Sequence, residues 1–299
     1  QNGFRRGICT ADHLFRLGYD VARARLDSKH GLAVFIDLEK AFDTVWHKGL
    51  MWKLCNEFTP TISENELRWI NSYLSDRQCY VKFDASTTSQ RFLIEAGVPQ
   101  GGIISPLLYL LFTNNLKLPN TARVKSTRYA DDILPWGLGD DPLAVKLAVQ
   151  NAVDILLNVC AMSQVHTNAA KTQLLYFKKN CRFTPFAQHV CMSVQIHDTI
   201  IRVSRSAKLL GVTFDHCATF QNHVSNIVNK CRSKLNLLRC LGGMGWGCSG
   251  YTILRFYTGF VRPSIEHGSI AWIGMAECHH NALQRIQNQA LRLACKVPR

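Results

Sequence analysis

Tyr129-Ala130-Asp131-Asp132 closes the strand-like stretch Val124–Tyr129 and precedes the apolar-rich Ile133–Gly137. The pattern predicts two strands joined by a tight hairpin with Asp131-Asp132 at its tip. Adjacent carboxylates repel and raise each other's pKa, a cost that divalent cations relieve. A second acidic element stands upstream: Phe35-Ile36-Asp37-Leu38-Glu39-Lys40-Ala41-Phe42-Asp43. Leu32 to Ile36 reads as a buried strand that delivers Asp37 at its C-terminal end. Two acidic strand ends suit phosphoryl transfer assisted by two magnesium ions roughly 3.5–4 Å apart, one at the attacking hydroxyl and one at the leaving group. Asp37 and Asp131 fit the metal-holding role, with Asp132 as the natural third acid. Asp43, just ahead of Thr44-Val45-Trp46, reads as a helix cap and not as a ligand.

Outward from these acids, helical spacing predicts helices over 13–26, 64–75 and 142–160. Ser105 as N-cap with Pro106 at the first position opens another, Leu107–Leu116, apolar on nearly every side. Cys79–Phe83 and Gln90–Ala96 read as strands around a Ser/Thr turn, Thr172–Phe177 as a strand, and 190–214 as short strands turning at His197-Asp198 and Arg205-Ser206. Gly97 to Gly102 is a flexible loop. Pro135 is unexpected in a strand, because it removes a ladder donor. Beyond 215 the pattern turns helical: Phe220, Val224, Ile227, Cys231, Leu235 and Leu238 share one face, and Gly242, Gly243, Gly245 and Gly247 end it. A last helix over 281–297 carries Arg285, Arg292 and Lys296 as one basic stripe. Solvation is the ordinary reading of such a stripe, and the scarcity of nearby acids adds contact with backbone phosphate. The plan is α+β, with helices on one face of a largely antiparallel sheet.

With 299 residues, 47% of them hydrophobic, the chain can bury a large core and is not a disordered segment. Its net charge of +14 is uneven: residues 216–299 hold ten Lys/Arg against two Asp/Glu. That balance favours an anionic partner, nucleic acid being the commonest. The twelve cysteines show no regular spacing and no signal-peptide pattern accompanies them, so free thiols in a reducing, intracellular compartment are expected. Cys278-His279-His280 lacks a C-x-x-C partner and reads as packing, not zinc. No apolar run comes near the roughly 20 residues of a membrane span. Gln1-Asn2-Gly3-Phe4-Arg5 has no initiator Met and reads as the interior of a longer chain.

Phe35-Ile36-Asp37 with Ala41-Phe42-Asp43, then Pro99-Gln100-Gly101 with Ser105-Pro106, then Tyr129-Ala130-Asp131-Asp132, together resemble a reverse transcriptase. Asn168 with Lys171-Thr172, and Leu209-Leu210-Gly211-Val212, extend the match in order. Gly3-Phe4-Arg5, Ser75-Asp76-Arg77-Gln78, Arg262-Pro263 and Gln287-Asn288-Gln289-Ala290-Leu291-Arg292 are similar to the polymerases of non-long-terminal-repeat, LINE-type retrotransposons of the jockey kind. The resemblance spans the whole chain, and its ordered motifs are far more specific than a lone acid pair.

The resemblance implies a right-hand polymerase fold. Residues 1–31 would be partial fingers, 32–215 palm with interleaved finger segments, and 216–299 a basic helical thumb and post-thumb region. It implies an RNA-directed DNA polymerase that extends a DNA 3′-hydroxyl on an RNA template from dNTPs, using two Mg2+ ions with Mn2+ as a substitute. Asp37, Asp131 and Asp132 would hold the metals, and Lys171 would protonate or neutralise the pyrophosphate leaving group. Phe42 would be the steric gate against a 2′-hydroxyl, with Leu38, Gln100 and Gly101 lining the nucleotide pocket. Tyr129, Leu210 and Gly211 would hold the primer strand. A ribonucleoprotein with the element's own RNA, working in the nucleus, follows from the family. The family's upstream finger elements, endonuclease and cysteine-histidine knuckle are absent from these residues, which marks the chain as a fragment.

Two other readings stay open. A decayed, catalytically inactive nucleic-acid-binding remnant would keep the fold without the chemistry, and the presence of all three acids speaks against it. Another right-hand polymerase, an intron-encoded reverse transcriptase or an RNA-dependent RNA polymerase, is distinguished at Phe42.

Overall fold

The computed structural model describes residues 3–58, 61–83, 88–116, 121–178, 192–242, 246–272 and 274–297. The first part runs α1 (Thr10–Leu26), β1 (His30–Leu38), α2 (His47–Glu57), α3 (Glu64–Leu74), β2 (Gln78–Cys79), β3 (Phe92–Leu93) and α4 (Ser105–Phe112). There follow β4 (Val124–Tyr129), β5 (Asp132–Gly139), α5 (Pro142–Met162), β6 (Thr167–Lys178), and two hairpins, β7 (Ser193–Ile196) with β8 (Thr199–Arg202) and β9 (Ser206–Leu209) with β10 (Val212–Asp215). The C-terminal part is helical: α6 (Gln221–Leu241), α7 (Gly250–Phe256), a π-turn at Tyr257–Val261, α8 (Arg262–Glu266), a 3-10 turn at Ser269–Trp272 and α9 (Glu277–Ala294).

β1, β4, β5 and β6 form one antiparallel sheet in the order β4-β5-β1-β6, with β1 and β5 central. Successive side chains of a strand point to opposite faces. Leu32, Val34 and Ile36 therefore enter one core with α2 to α5, while Ala33 and Phe35 enter another with α1, β9–β10, α6 and α9. The sheet is covered on both faces, not on one as the pattern suggested. A continuous apolar run such as Leu32–Ile36 signals burial on two sides. All ten cysteines among the described residues are free thiols.

Several local expectations need correction. α2 is capped at Trp46, not at Asp43. Ser105 is the first residue of α4 and makes no cap bond; Ile104 precedes it as N-cap. α4 is shorter than expected and exposes Leu107. β2 and β3 are only two residues long and exposed, because neither offers the sheet a buried alternate face; the Ser/Thr turn at 84–87 lies outside the described residues, as do Gly243 and Gly245. Pro135 sits in a central strand. Its pairing with Ser126 of β4 is kept, whereas the β1 ladder steps from Ala33–Trp136 to Ile36–Ile133. The missing donor therefore falls on the β1 side. α5, at 21 residues, is long and apolar enough by composition to cross a membrane, contrary to the expectation of no such run. It buries Val145, Val149, Val153 and Leu156 in the core, and its other face carries Lys146, Gln150 and Asp154, as an amphipathic core helix does. Lys296 lies beyond α9 at φ +54°: the Lys296 N–H donates to Leu293 (3.3 Å) and Val297 N–H to Arg292 (3.1 Å). This is a Schellman stop, so the helical part of the basic stripe is Arg285 and Arg292.

Candidate active site

Asp37 occupies the penultimate position of β1, beside the start of β5. The register that pairs Ile36 with Ile133 sets Asp37 next to Asp132 across the two strands. Tyr129 pairs with Asp132, leaving Ala130 and Asp131 as a two-residue hairpin loop. Ala130 has φ +55°, the positive first position that matches such loops to strand twist. Burial, then Asp131, then Asp37 push the Asp132 carboxyl up to about 6. The two neighbours act by like-charge repulsion, so the three acids form one electrostatic unit.

Lys171 joins them through an irregularity in β6. Phe35 pairs with Gln173 and Asp37 with Asn168, so β1 advances two residues while β6 advances five. Bulges of this kind re-aim side chains beside active sites. Asn168 fastens the bulge: its Oδ1 accepts the Lys171 N–H (3.1 Å) and its carbonyl accepts the Thr172 hydroxyl (2.8 Å). Lys171 Nζ then lies 3.6 Å from Asp37 Oδ2.

The Gly97–Gly101 loop is laced to the segment after β1. Val98 N–H donates to the Phe42 carbonyl (2.8 Å), Gly97 N–H to the Val45 carbonyl (2.8 Å), and Gln100 Nε2 to Asp43 Oδ1 (3.0 Å). Asp43 is thus the anchor of Gln100. Gly101 has φ +87° and open space around its Cα. Phe42 stacks on Tyr109 of α4 with ring centroids 4.7 Å apart and meets the edge of Phe4 at 6.3 Å. Leu38, expected at the nucleotide pocket, has its side chain buried in the core. Tyr129 packs against buried His13 at 5.8 Å. No site role for Gly3 or Tyr109 is legible in the sequence: a Cβ on Gly3 would stand 2.6 Å from the Ala130 backbone nitrogen.

A second hairpin loop, Leu210-Gly211, joins β9 and β10. Both residues have positive φ, +44° and +87°, which defines a type I′ turn. His267 Nε2 donates to the Leu210 carbonyl at 2.8 Å, a partner 57 residues away that sequence reading missed. Thr213 N–H donates to Nδ1 of buried His223 (3.3 Å), which puts the neutral ring's proton on Nε2. Gly211, Lys208, Lys230, Lys234 and His267 line a cleft of about 850 Å³. Arg285 and Arg292 are exposed on α9, which packs against α6 through Leu283, Ile286 and Ala290.

The acids suit a hard divalent cation. Among the described residues no three His, Cys, Asp or Glu side chains converge into a ready-made cluster. Magnesium is ordinarily held by one or two carboxylates together with water and substrate phosphates, and the repulsion felt by Asp132 is the feature a cation would relieve.

The α+β sheet thus sets an aspartate of one central strand against an aspartate pair on the adjoining hairpin. Residues 1–214 match the reverse transcriptase (RNA-dependent DNA polymerase) family, and the chain belongs to it. It is 30% identical over 304 residues to a probable RNA-directed DNA polymerase from transposon BS of Drosophila melanogaster, with 100% of this chain and 32% of that protein covered. It is 27% identical over 310 residues to the RNA-directed DNA polymerase from mobile element jockey of the same species, again over 100% and 32%. The chain spans about a third of the length of these relatives. Telomerase from Candida tropicalis, solved in complex with the TWJ fragment of telomeric RNA, is similar at TM-score 0.48 and 13% identity, over 97% of this chain and 44% of that one. A likeness at that level adds nothing to the family assignment.

Proposed function

We propose that the chain is the polymerase core of a retrotransposon reverse transcriptase, extending a DNA 3′-hydroxyl on an RNA template. The observation that carries this reading is the meeting of Asp37 with Asp131-Asp132 across adjacent strands, with Lys171 aimed at Asp37. Asp37 and Asp131, assisted by Asp132, would hold two Mg2+ ions, with Mn2+ as a substitute. Bound there, the metals supply activation of the 3′-hydroxyl and neutralisation of the triphosphate. Lys171 places a cation and a proton donor where the departing pyrophosphate needs them. Phe42 fills the space a ribose 2′-hydroxyl would need. Gln100, held by Asp43, and the open Gly101 backbone border the incoming nucleotide and template. The Leu210-Gly211 turn carries the primer end, and exposed Arg285, Arg292 and Lys296 follow the nucleic-acid backbone. Residues 32–215 then supply the palm with finger segments, and the basic helical end supplies the thumb.

Primer extension tests the reading: an RNA template, a DNA primer, dNTPs and Mg2+. Asp131→Asn is expected to lower extension on the order of 10³-fold, the scale of several kcal/mol of lost charge stabilisation, with primer–template affinity kept. Extension that survives Asp131→Asn undiminished would overturn the site. Binding without extension in the wild type would favour the inactive remnant.

A further inference from the structure

Phe42 does not stand alone. Its ring lies 4.7 Å from Tyr109 in a stacked arrangement (interplanar angle 23°), and Phe4 meets it edge-on at 6.3 Å and 89°. The three rings come from three separate segments: the N-terminal stretch, the turn after β1, and α4. Offset-stacked and edge-on geometries are the favourable ones for aromatic pairs, so each contact fixes the orientation of Phe42 and not merely its burial.

Both outer rings are built for the place they occupy. Phe4 has φ +58°, a left-handed backbone costly for a bulky residue, and strain of this kind persists only where surrounding contacts enforce it. Next to it, Gly3 lies so close to Ala130 that any side chain would strike the backbone. Tyr109 is 1% exposed, and its buried hydroxyl has no hydrogen-bond partner among the described residues. Its side chain is therefore held by packing, with the Phe42 ring stacked on it.

We infer that Phe4 and Tyr109 are positioning residues for sugar selection: together they clamp the Phe42 ring, and the clamp sets how strongly ribonucleotides are rejected. The inference rests on the reading of Phe42 as the gate. A gate free to rotate would yield to a 2′-hydroxyl, whereas a clamped one cannot. The clamp also links selection to the catalytic loop, since Gly3 and Phe4 are consecutive and touch Ala130 and Phe42 respectively.

The test is the ratio of kcat/KM for a dNTP over the matching NTP, read in steady-state primer extension for the wild type, Phe42→Ala, Phe4→Ala, Tyr109→Leu and Tyr109→Phe. Phe4 is half exposed, so Phe4→Ala leaves the core intact. Phe4→Ala and Tyr109→Leu are expected to lower the ratio about tenfold or more, the scale set by reshaping a small pocket, mainly by improving ribonucleotide use. Tyr109→Phe keeps the ring and is expected to match the wild type. The clamp is overturned if Phe42→Ala relaxes selection while Phe4→Ala and Tyr109→Leu leave the ratio unchanged. If Phe42→Ala itself leaves the ratio unchanged, the gate assignment fails and the clamp with it.

Discussion

The two hairpins β4–β5 and β9–β10 solve one backbone problem in opposite ways. Each has a two-residue loop with a positive φ. The β9–β10 loop places a glycine, Gly211, at the more strained position and is pinned from outside by His267. The β4–β5 loop carries Asp131 and contains no glycine. There the glycine sits in the neighbour, where Gly3 gives the Ala130 backbone room to be braced at close range. A loop whose residues are claimed by chemistry exports its conformational freedom to whatever packs against it.

That contrast can be broken most severely at Gly3. Gly3→Ala puts a methyl 2.6 Å from the Ala130 nitrogen, so either the N-terminal stretch or the aspartate loop must move. A misplacement near 1 Å costs about 10²-fold in rate, and dNTP and NTP incorporation are expected to fall together in primer extension. An Ala variant with wild-type kinetics would show that the brace is not needed. At the other hairpin, Gly211→Ala forces a side chain to φ +87° and to within 3.0 Å of His267 Nε2. Its expected cost is about 2–3 kcal/mol of stability in urea unfolding, with weaker primer–template binding but little change in the rate of the bound complex. Equal losses of affinity and of rate would erase the distinction between the two loops.

The smallest effect is acid lability. Burial pushes His223, beneath β10, down to about 4, with His267 and Lys230 adding repulsion. Its folded pKa lies below the ordinary 6.5, so between those values the unfolded chain binds the extra proton. Stability is complete above pH 6.5 and falls as pH drops toward 4. Comparing urea midpoints at pH 7 and pH 5, His223→Gln is expected to lose about 1–2 kcal/mol less than the wild type. His13, bonded to Thr127 under the β4–β5 hairpin and likewise pushed down to about 4 by burial, carries the same sign. A His223→Gln variant that loses as much stability as the wild type would contradict the His223 assignment.

The acids and their hairpin are legible in the sequence because apolar runs and adjacent charges are local signals. The β4 boundaries, the order of the motifs and the buried face of α6 follow from the same kind of pattern. Partners far apart in the chain leave no such trace. Asp43 resembles a helix cap because a helix follows it, yet its partner is Gln100, 57 positions on. Lys171 is legible as a lysine in a motif, but its direction depends on three extra residues of β6 that only pairing with β1 reveals. An apolar strand announces burial without saying what lies on each side, which is why the second helical face was missed. Pro135 argues against a central strand by propensity, and tertiary pairing overrides it.

Gly18 of α1 lies against Ala271 so closely that a Cβ would come within 2.8 Å of the Ala271 carbonyl oxygen. During synthesis α1 emerges about 250 residues ahead of Ala271, so the part of its face that Gly18 lends to Ala271 stays uncovered until then. At 5–20 residues per second that wait is roughly 10–50 s. Over that interval α1 can already dock on β1, β4 and β6 of the sheet, before the side that faces Ala271 closes. The seam at Gly18 is therefore the last side of α1 to close, a sequence of events that the finished core does not display.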